Sequence, residues 1–305
     1  MAIKFYLFNL KISSTMKLLI LLPVILVLSF FISCKKSDSG GGTSPAVAQT
    51  ISNVSYGTDA AQKMDVYLPA NRTVAGTKVM IMIHGGGWTG GDKADFAPFT
   101  DTMKRRLPDY AIFNINYRLS TGTANLFPTQ ENDVKAALQF IYSKASEYLV
   151  SDKYVLIGAS AGAHLSMLQG YKYTLPVKPK AIVSFFGPSD LTDMYNNPTG
   201  GNPLISLILV QAIGKTPLQD PALYISSSPV SFINSTSPPT ILLHGGADPL
   251  VSPSQSVAVK NKLTTAGVVN QYILYPGKGH GDDWGDAIYK DAFNNIQAFL
   301  TANVK

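Results

Sequence analysis

Six short apolar runs constrain this chain more than any other feature: KVMIMIH (78–84), YAIFNINY (110–117), KYVLIG (153–158), KAIVSFFG (180–187), TILLHG (240–245) and QYILYPG (271–277). Each has the length of a strand and is rich in β-branched or aromatic residues. A strand covered on one face alternates apolar with polar; one covered on both faces loses that alternation, as several of these do. ISNVSYG (51–57) and KMDVYLP (63–69) read as an opening pair of strands. Between the runs lie helix candidates. Residues 128–149 open with Pro128 and Thr129 and carry Val134, Ala137, Leu138 and Ile141 at helical spacing. Residues 252–267 begin Ser252-Pro253 and stop at Gly267, and the stretch near 285–302 puts Ile288, Phe293, Ile296 and Phe299 close to one face. This alternation predicts an α/β fold, a central and mostly parallel sheet of about eight strands flanked by helices.

Residues 188–237 break the rhythm. They are rich in Pro, Asn, Gly and Ser around a single apolar segment, PLISLILVQAIG (203–214). The expected form is a mostly helical insertion over the sheet edge. It reads either as a cap above a substrate pocket, the favoured version, or as a surface excursion that completes the fold.

The N-terminal residues read as an address. Basic residues precede an apolar run in 17–32, KLLILLPVILVLSFFI, which has signal-peptide length and is short for a membrane span. Ser33, Cys34 and the polar, Gly/Ser-rich KKSDSGGGTSP follow. The arrangement resembles a bacterial lipoprotein signal, which implies lipidation at Cys34, a membrane attachment through that lipid and a place in the cell envelope. An uncleaved anchor and plain secretion are the competing readings, and Met16 would make a tidier start than Met1. The expected organisation is a signal peptide at 1–33, a flexible tether at 34–49 and one catalytic-sized domain at 50–305. Cys34 is the only cysteine, so an intramolecular disulfide and a Cys-built metal site are excluded. Without residues 1–33, which hold Lys4, Lys11 and Lys17 and no acid, the net charge falls from +6 to +3. No basic run marks a nucleic-acid partner.

Gly158-Ala159-Ser160-Ala161-Gly162 is a G-x-S-x-G motif, weak alone and strong in context. It follows the apolar run ending at Ile157 and precedes AGAHLSMLQGY, a helix start. A sharp strand-to-helix turn of this kind exposes the serine as a nucleophile. His84-Gly85-Gly86-Gly87-Trp88 follows another run. Glycines let backbone approach a substrate closely, and amides aimed at a developing oxyanion stabilise the transition state. Gly86, Gly87 and Ala161 are the candidate donors. A phosphate cradle would need a lysine and a spacing that this loop lacks. Of the four histidines, His84 belongs to the glycine loop, and His164, four residues past the serine, reads as a packing or hydrogen-bonded residue. His244 ends a run and is expected to organise the Gly-Gly turn after it. His280, in PGKGHGDDW, is the candidate base, and Asp248, in HGGADPLV, is the candidate acid that orients it. Asp282 and Asp283 lie too close to His280 for that task and are expected to shape its loop. The order Ser160, Asp248, His280 is that of α/β-hydrolases.

With these residues in view, the sequence resembles the HGGG-type esterases of the hormone-sensitive-lipase-like group. It is especially similar to bacterial feruloyl and acetyl-xylan esterases. Further matching segments are MDVYLP (64–69), GDK (91–93), NYRL (116–119), DVKAAL (133–138), SAGAHL (160–165) and SSPVSFI (227–233). The resemblance implies an α/β-hydrolase fold and a carboxylic-ester hydrolase without metal or organic cofactor. It implies a triad of Ser160, Asp248 and His280, oxyanion amides at Gly86, Gly87 and Ala161, and Trp88 and Asp92 as braces of the glycine loop. The substrate class it implies is a small-molecule or oligosaccharide ester. Ala159 and Ala163 depart from the family pattern, where His and Gly are usual. SAGAHL and the HGG-x-W loop are shared with arylformamidases, so a formamide substrate is the enzymatic alternative, and a non-catalytic binding scaffold is the other. Trp284, Tyr195 and Phe127 are candidates for either pocket or core.

Overall fold

The computed structural model describes residues 45–305. The expected signal peptide, Cys34 and the tether as far as residue 44 lie outside the described residues. The eight expected strands form one sheet: β1 (Gln49–Ser55), β2 (Lys63–Leu68), β3 (Lys78–Ile83), β4 (Tyr110–Ile115), β5 (Tyr154–Ala159), β6 (Ala181–Phe185), β7 (Thr240–Gly245) and β8 (Asn270–Tyr275). Their order is β1-β2-β4-β3-β5-β6-β7-β8. β1 with β2 and β2 with β4 are antiparallel; every other neighbouring pair is parallel.

Residue parity along the strands sorts side chains into two layers. In β3, Val79, Ile81 and Ile83 face one layer and Met80 and Met82 the other, and all five are fully buried. That double burial is why the run shows no polar alternation. On the first face, α2 (Thr129–Ser143) contributes Val134, Leu138 and Ile141, and α4 (Ala161–Lys172) contributes Leu165 and Leu168. α8 (Pro253–Thr265) extends that face, packing Val259 and Leu263 with Met167 of α4 against Ile182 and Leu242. On the opposite face lie Met103 of α1 (Ala97–Arg106) and Phe293, Ile296, Phe299 and Leu300 of α9 (Gly285–Asn303).

Two local differences from the sequence expectation have physical reasons. The helix expected over 128–149 is two helices, because Lys144 leaves helical dihedrals before the short α3 (Ala145–Tyr148), which ends at left-handed Leu149. The sequence did not predict α1, whose buried residues are only Thr100 and Met103, too few for a legible apolar stripe. In 188–237 the chain forms α5 (Leu191–Asn196), α6 (Pro203–Ile213) and α7 (Pro221–Ser226) with two single 3-10 turns. The Pro, Asn, Asp and Gly residues that interrupt the strand rhythm are its helix starts and stops. Asn202 and Asp220 cap α6 and α7 ahead of Pro203 and Pro221, and Gly214 ends α6 in the left-handed region.

Since β3 through β8 run parallel, their carboxyl ends open at one edge. β4 lies on one side of β3 and β5 on the other, so the sheet grows in opposite directions from that pair. Clefts form at such a reversal.

Candidate active site

Ser160 is the single residue between β5 and α4, with φ 53 and ψ −121. A non-glycine residue in this region costs about 1–3 kcal/mol and persists only when its surroundings fix it. The Ser160 amide donates to the carbonyl of Phe185 at the end of β6 (2.9 Å), and its carbonyl accepts from the His164 amide (3.0 Å). The two motif glycines are required by close approach. A Cβ on Gly162 would sit 2.0 Å from the carbonyl oxygen of Ile83, and one on Gly158 would sit 2.3 Å from the carbonyl of Gly162. The helix thus starts pressed against the end of β3. The Ala163 methyl, where the resembled family has glycine, is accommodated by Gly187, whose missing Cβ would lie 2.7 Å from it.

The glycine loop is held by its carbonyls. The Gly85 carbonyl accepts from the Tyr117 hydroxyl (3.2 Å) and from Nδ1 of His84 (2.7 Å), whose ring stacks on Tyr117 at 4.4 Å. The Gly86 carbonyl accepts from the amides of Thr89 (3.2 Å) and Gly90 (2.9 Å). A trans peptide sends its N–H opposite its C=O, so pinning these carbonyls orients the amides of Gly86 and Gly87 to the other side. Gly86 itself, at φ 103, has no room for a side chain: its Cβ would meet the Gly90 carbonyl at 2.2 Å. Trp88, also at positive φ, is buried and donates from Nε1 to Nδ1 of His164 (3.3 Å), while Nε2 of His164 donates to the Ser227 carbonyl (2.7 Å). His164 therefore joins the nucleophile helix, the glycine loop and the segment after α7. Burial pushes its imidazole down to about 4. Asp92 accepts from Ala94 and Asn116 at the loop's far end.

Asp248 follows β7, and His280 follows β8. Nδ1 of His280 donates to Oδ2 of Asp248 at 2.6 Å. The other carboxylate oxygen accepts from the amides of Leu250 (2.8 Å) and Val251 (2.9 Å). Burial works against this carboxylate. The nearby His244 imidazole and the hydrogen bonds from His280 and the Val251 amide outweigh it and hold the group well below the usual carboxylate range. Asp283 shapes the His280 loop as expected, accepting from the Gly279 amide, and Trp284 donates to the Gly279 carbonyl (3.0 Å). The ring of Phe186 lies 4.4 Å from that of His280.

A cavity of 460 Å³ opens here, lined by Ser160, His280, Gly86 and Gly87. No direct hydrogen bond joins Ser160 to His280 among the described residues; such contacts commonly tighten on substrate binding. Ala161 is buried directly behind Ser160, and its amide lies in the first turn of α4, where amides lack a partner within the helix. The remaining wall is largely apolar: Phe96, Phe186, Met194, Ile205, Ile208 and Leu250 are part of it, with Asp95 a carboxylate at the rim. Sequence reasoning expected a cap from 188–237 but did not name these wall residues. Trp284 and Phe127, which it considered, are buried in the core, and Tyr195 packs against that core. The signal for α6 was present in a segment apolar on every side, as expected for a helix with work on more than one face. His244 also differs from expectation. It does not tie down the Gly-Gly turn; its ring reaches Ser256, Val251 and Asp248. Among the described residues no group of three or more His, Cys, Asp or Glu side chains is placed to hold a metal ion, and no helix is long and apolar enough to cross a membrane.

Comparison with known proteins places this geometry. Residues 64–263 match the BD-FAE family. The chain is 27% identical over 217 residues to Esterase LipQ of Mycobacterium tuberculosis, covering 67% of this chain and 50% of LipQ. It is 30% identical over 237 residues to Probable carboxylic ester hydrolase LipM of the same organism, covering 73% of this chain and 53% of LipM. The chain thus spans about half the length of these curated relatives. A solved structure described as a truncated form of carbohydrate esterase from gut microbiota superposes with a TM-score of 0.70 at 26% identity, covering 84% of this chain and 96% of that one. With the glycine loop, the nucleophile turn and Asp248 all inside the matched region, the chain belongs to the BD-FAE family and has the α/β-hydrolase fold.

Proposed function

We propose that this protein is a serine carboxylic-ester hydrolase acting through an acyl-enzyme, with Ser160, His280 and Asp248 as its triad. The observation that carries this reading is the 2.6 Å hydrogen bond from His280 to Asp248, made by an imidazole that shares one cavity with Ser160. His280 takes the Ser160 proton as the hydroxyl attacks the ester carbonyl. The amides of Gly86, Gly87 and Ala161 receive the oxyanion, and His280 returns the proton to the departing alcohol. Water activated by the same imidazole then releases the acid. Asp248 keeps the ring in the Nδ1–H tautomer and stabilises its charged form.

The similarity to a gut carbohydrate esterase supports acetyl or feruloyl esters of plant polysaccharides as substrates. The segment with α5 and α6 acts in this reading as a cap, since Met194, Ile205 and Ile208 wall the cavity. Lipidation at Cys34 would hold the enzyme at the cell envelope, and Cys34→Ser should move it from the membrane to the soluble fraction. Ser160→Ala is expected to lose at least about 10⁴-fold in kcat on p-nitrophenyl acetate, since removing a nucleophile disables the whole unit. Near wild-type turnover in that variant would discard the assignment. A panel of acetylated and feruloylated xylo-oligosaccharides beside N-formylkynurenine tests the substrate class, and preference for the formamide would replace the ester reading.

A further inference from the structure

The Asp248 carboxylate is held by a second imidazole that the triad does not use. Oδ2, the oxygen that accepts from His280, lies 3.3 Å from Nε2 of His244. The same Nε2 is 2.9 Å from the Val251 carbonyl, and Nδ1 of His244 is 2.7 Å from the Ser256 hydroxyl. His244 is fully buried, and Ser256 and Asp248 nearly so.

The ring's tautomer follows from its partners. A carbonyl oxygen only accepts, so Nε2 must carry a hydrogen; it donates that hydrogen to Val251, and Oδ2 of Asp248 lies beside it at 3.3 Å. In the neutral ring Nδ1 is then bare and accepts from the Ser256 hydroxyl. The Ser256 hydroxyl, able to donate or accept, conforms to that tautomer by donating to Nδ1. Val251 closes the arrangement, giving its amide to Oδ1 and taking the ring's hydrogen on its carbonyl. The carboxylate ends with two backbone donors on one oxygen, and on the other the His280 donor with the His244 imidazole packed 3.3 Å away.

We propose that His244, its ring held between the Val251 carbonyl and the Ser256 hydroxyl, is a positioning residue that keeps Oδ2 of Asp248 aimed at His280. The chain Ser256–His244–Asp248–His280 extends the triad inward from the cavity by two residues. The inference rests on the triad reading above. A buried hub with a purely structural role would lower stability and leave the kinetics of the folded enzyme unchanged. A positioning role lowers kcat with KM little moved, because the charge on His280 develops only in the transition state.

The test compares p-nitrophenyl acetate kinetics of the purified full chain for wild type, His244→Gln, His244→Met, Ser256→Ala and Asp248→Asn. Glutamine keeps an N–H near the position of Nε2, and methionine keeps bulk without a donor. The expected result is a kcat about 30-fold lower for His244→Met, with KM within about twofold and recovery to within about threefold in His244→Gln. Ser256→Ala, which leaves the ring in place, is expected to lose about fivefold in kcat and covers the case in which His244→Met does not fold. The downfield proton resonance of the His280–Asp248 bond should weaken in both. Wild-type kcat in Ser256→Ala or in a folded His244→Met, or equal losses in the Gln and Met variants, overturns the inference. If Asp248→Asn is at the same time inactive, the triad reading survives that result; if Asp248→Asn keeps full activity, both fall.

Discussion

Single residues at this site are determined by what surrounds them more than by their own chemistry. His164 is the clearest case. Its neutral ring accepts from Trp88 and donates to Ser227, and burial lowers its affinity for a proton. The unfolded chain takes up that proton near pH 6.5 and the folded chain near 4. Between those values the unfolded state binds more protons, so stability is complete above 6.5 and falls as pH falls through the window. This one group is expected to remove about 2 kcal/mol between pH 7 and pH 5. Urea unfolding at both pH values measures it, and the pH 7 to pH 5 loss should shrink by about that amount in His164→Gln. An unchanged loss would mean that the ring takes up its proton at the same pH in the folded and unfolded chain. Nothing in the sequence around position 164 announces this role, because Ser227 and Trp88 are both more than sixty residues away in the chain.

At the scale of elements, α6 adds an apolar wall beside the proposed triad. α6 turns Ile205 and Ile208 toward the cavity while Leu204 and Leu207 remain exposed on its outer side. Ile208 also crosses the glycine loop, where a Cβ on Gly87 would meet its Cγ2 at 3.1 Å. Ile208→Ala should open this wall and shift the ratio of kcat/KM toward longer acyl chains by about fivefold to tenfold, read from p-nitrophenyl octanoate against acetate. An unchanged ratio would place the acyl chain elsewhere in the cavity. The strands and the triad candidates were legible in sequence for a common reason. A strand buried on both faces writes a continuous apolar run, and Ser160 and Asp248 lie on the turn or loop after such runs, while His280 follows the apolar run of the partly exposed edge strand β8. A cap over 188–237 was expected, but which of its residues face the cavity was not legible, because α6 reads as an apolar helix whichever direction it faces. His244 was misjudged for a related reason, since its partner Ser256 belongs to the first turns of α8 and meets it only through packing.

For the whole molecule, the sheet ties the site to the fold. The chain has two tryptophans, and both are buried beside the chemistry: Trp88 on the glycine loop and Trp284 under the His280 loop. Tryptophan emission and far-UV ellipticity are therefore expected to change at the same urea concentration, as one cooperative transition. An emission shift at lower urea would show the strand ends loosening before the sheet. His280, the proposed base, however, arrives last along the chain. Residues up to Gly267 contain the nucleophile, the glycine loop and the acid, while β8, His280 and α9 all follow that exposed turn. On the proposed assignment, the protein divides naturally at Gly267 into a large inert fragment and a small one that restores turnover when it docks as the edge strand, the logic of a two-piece reporter.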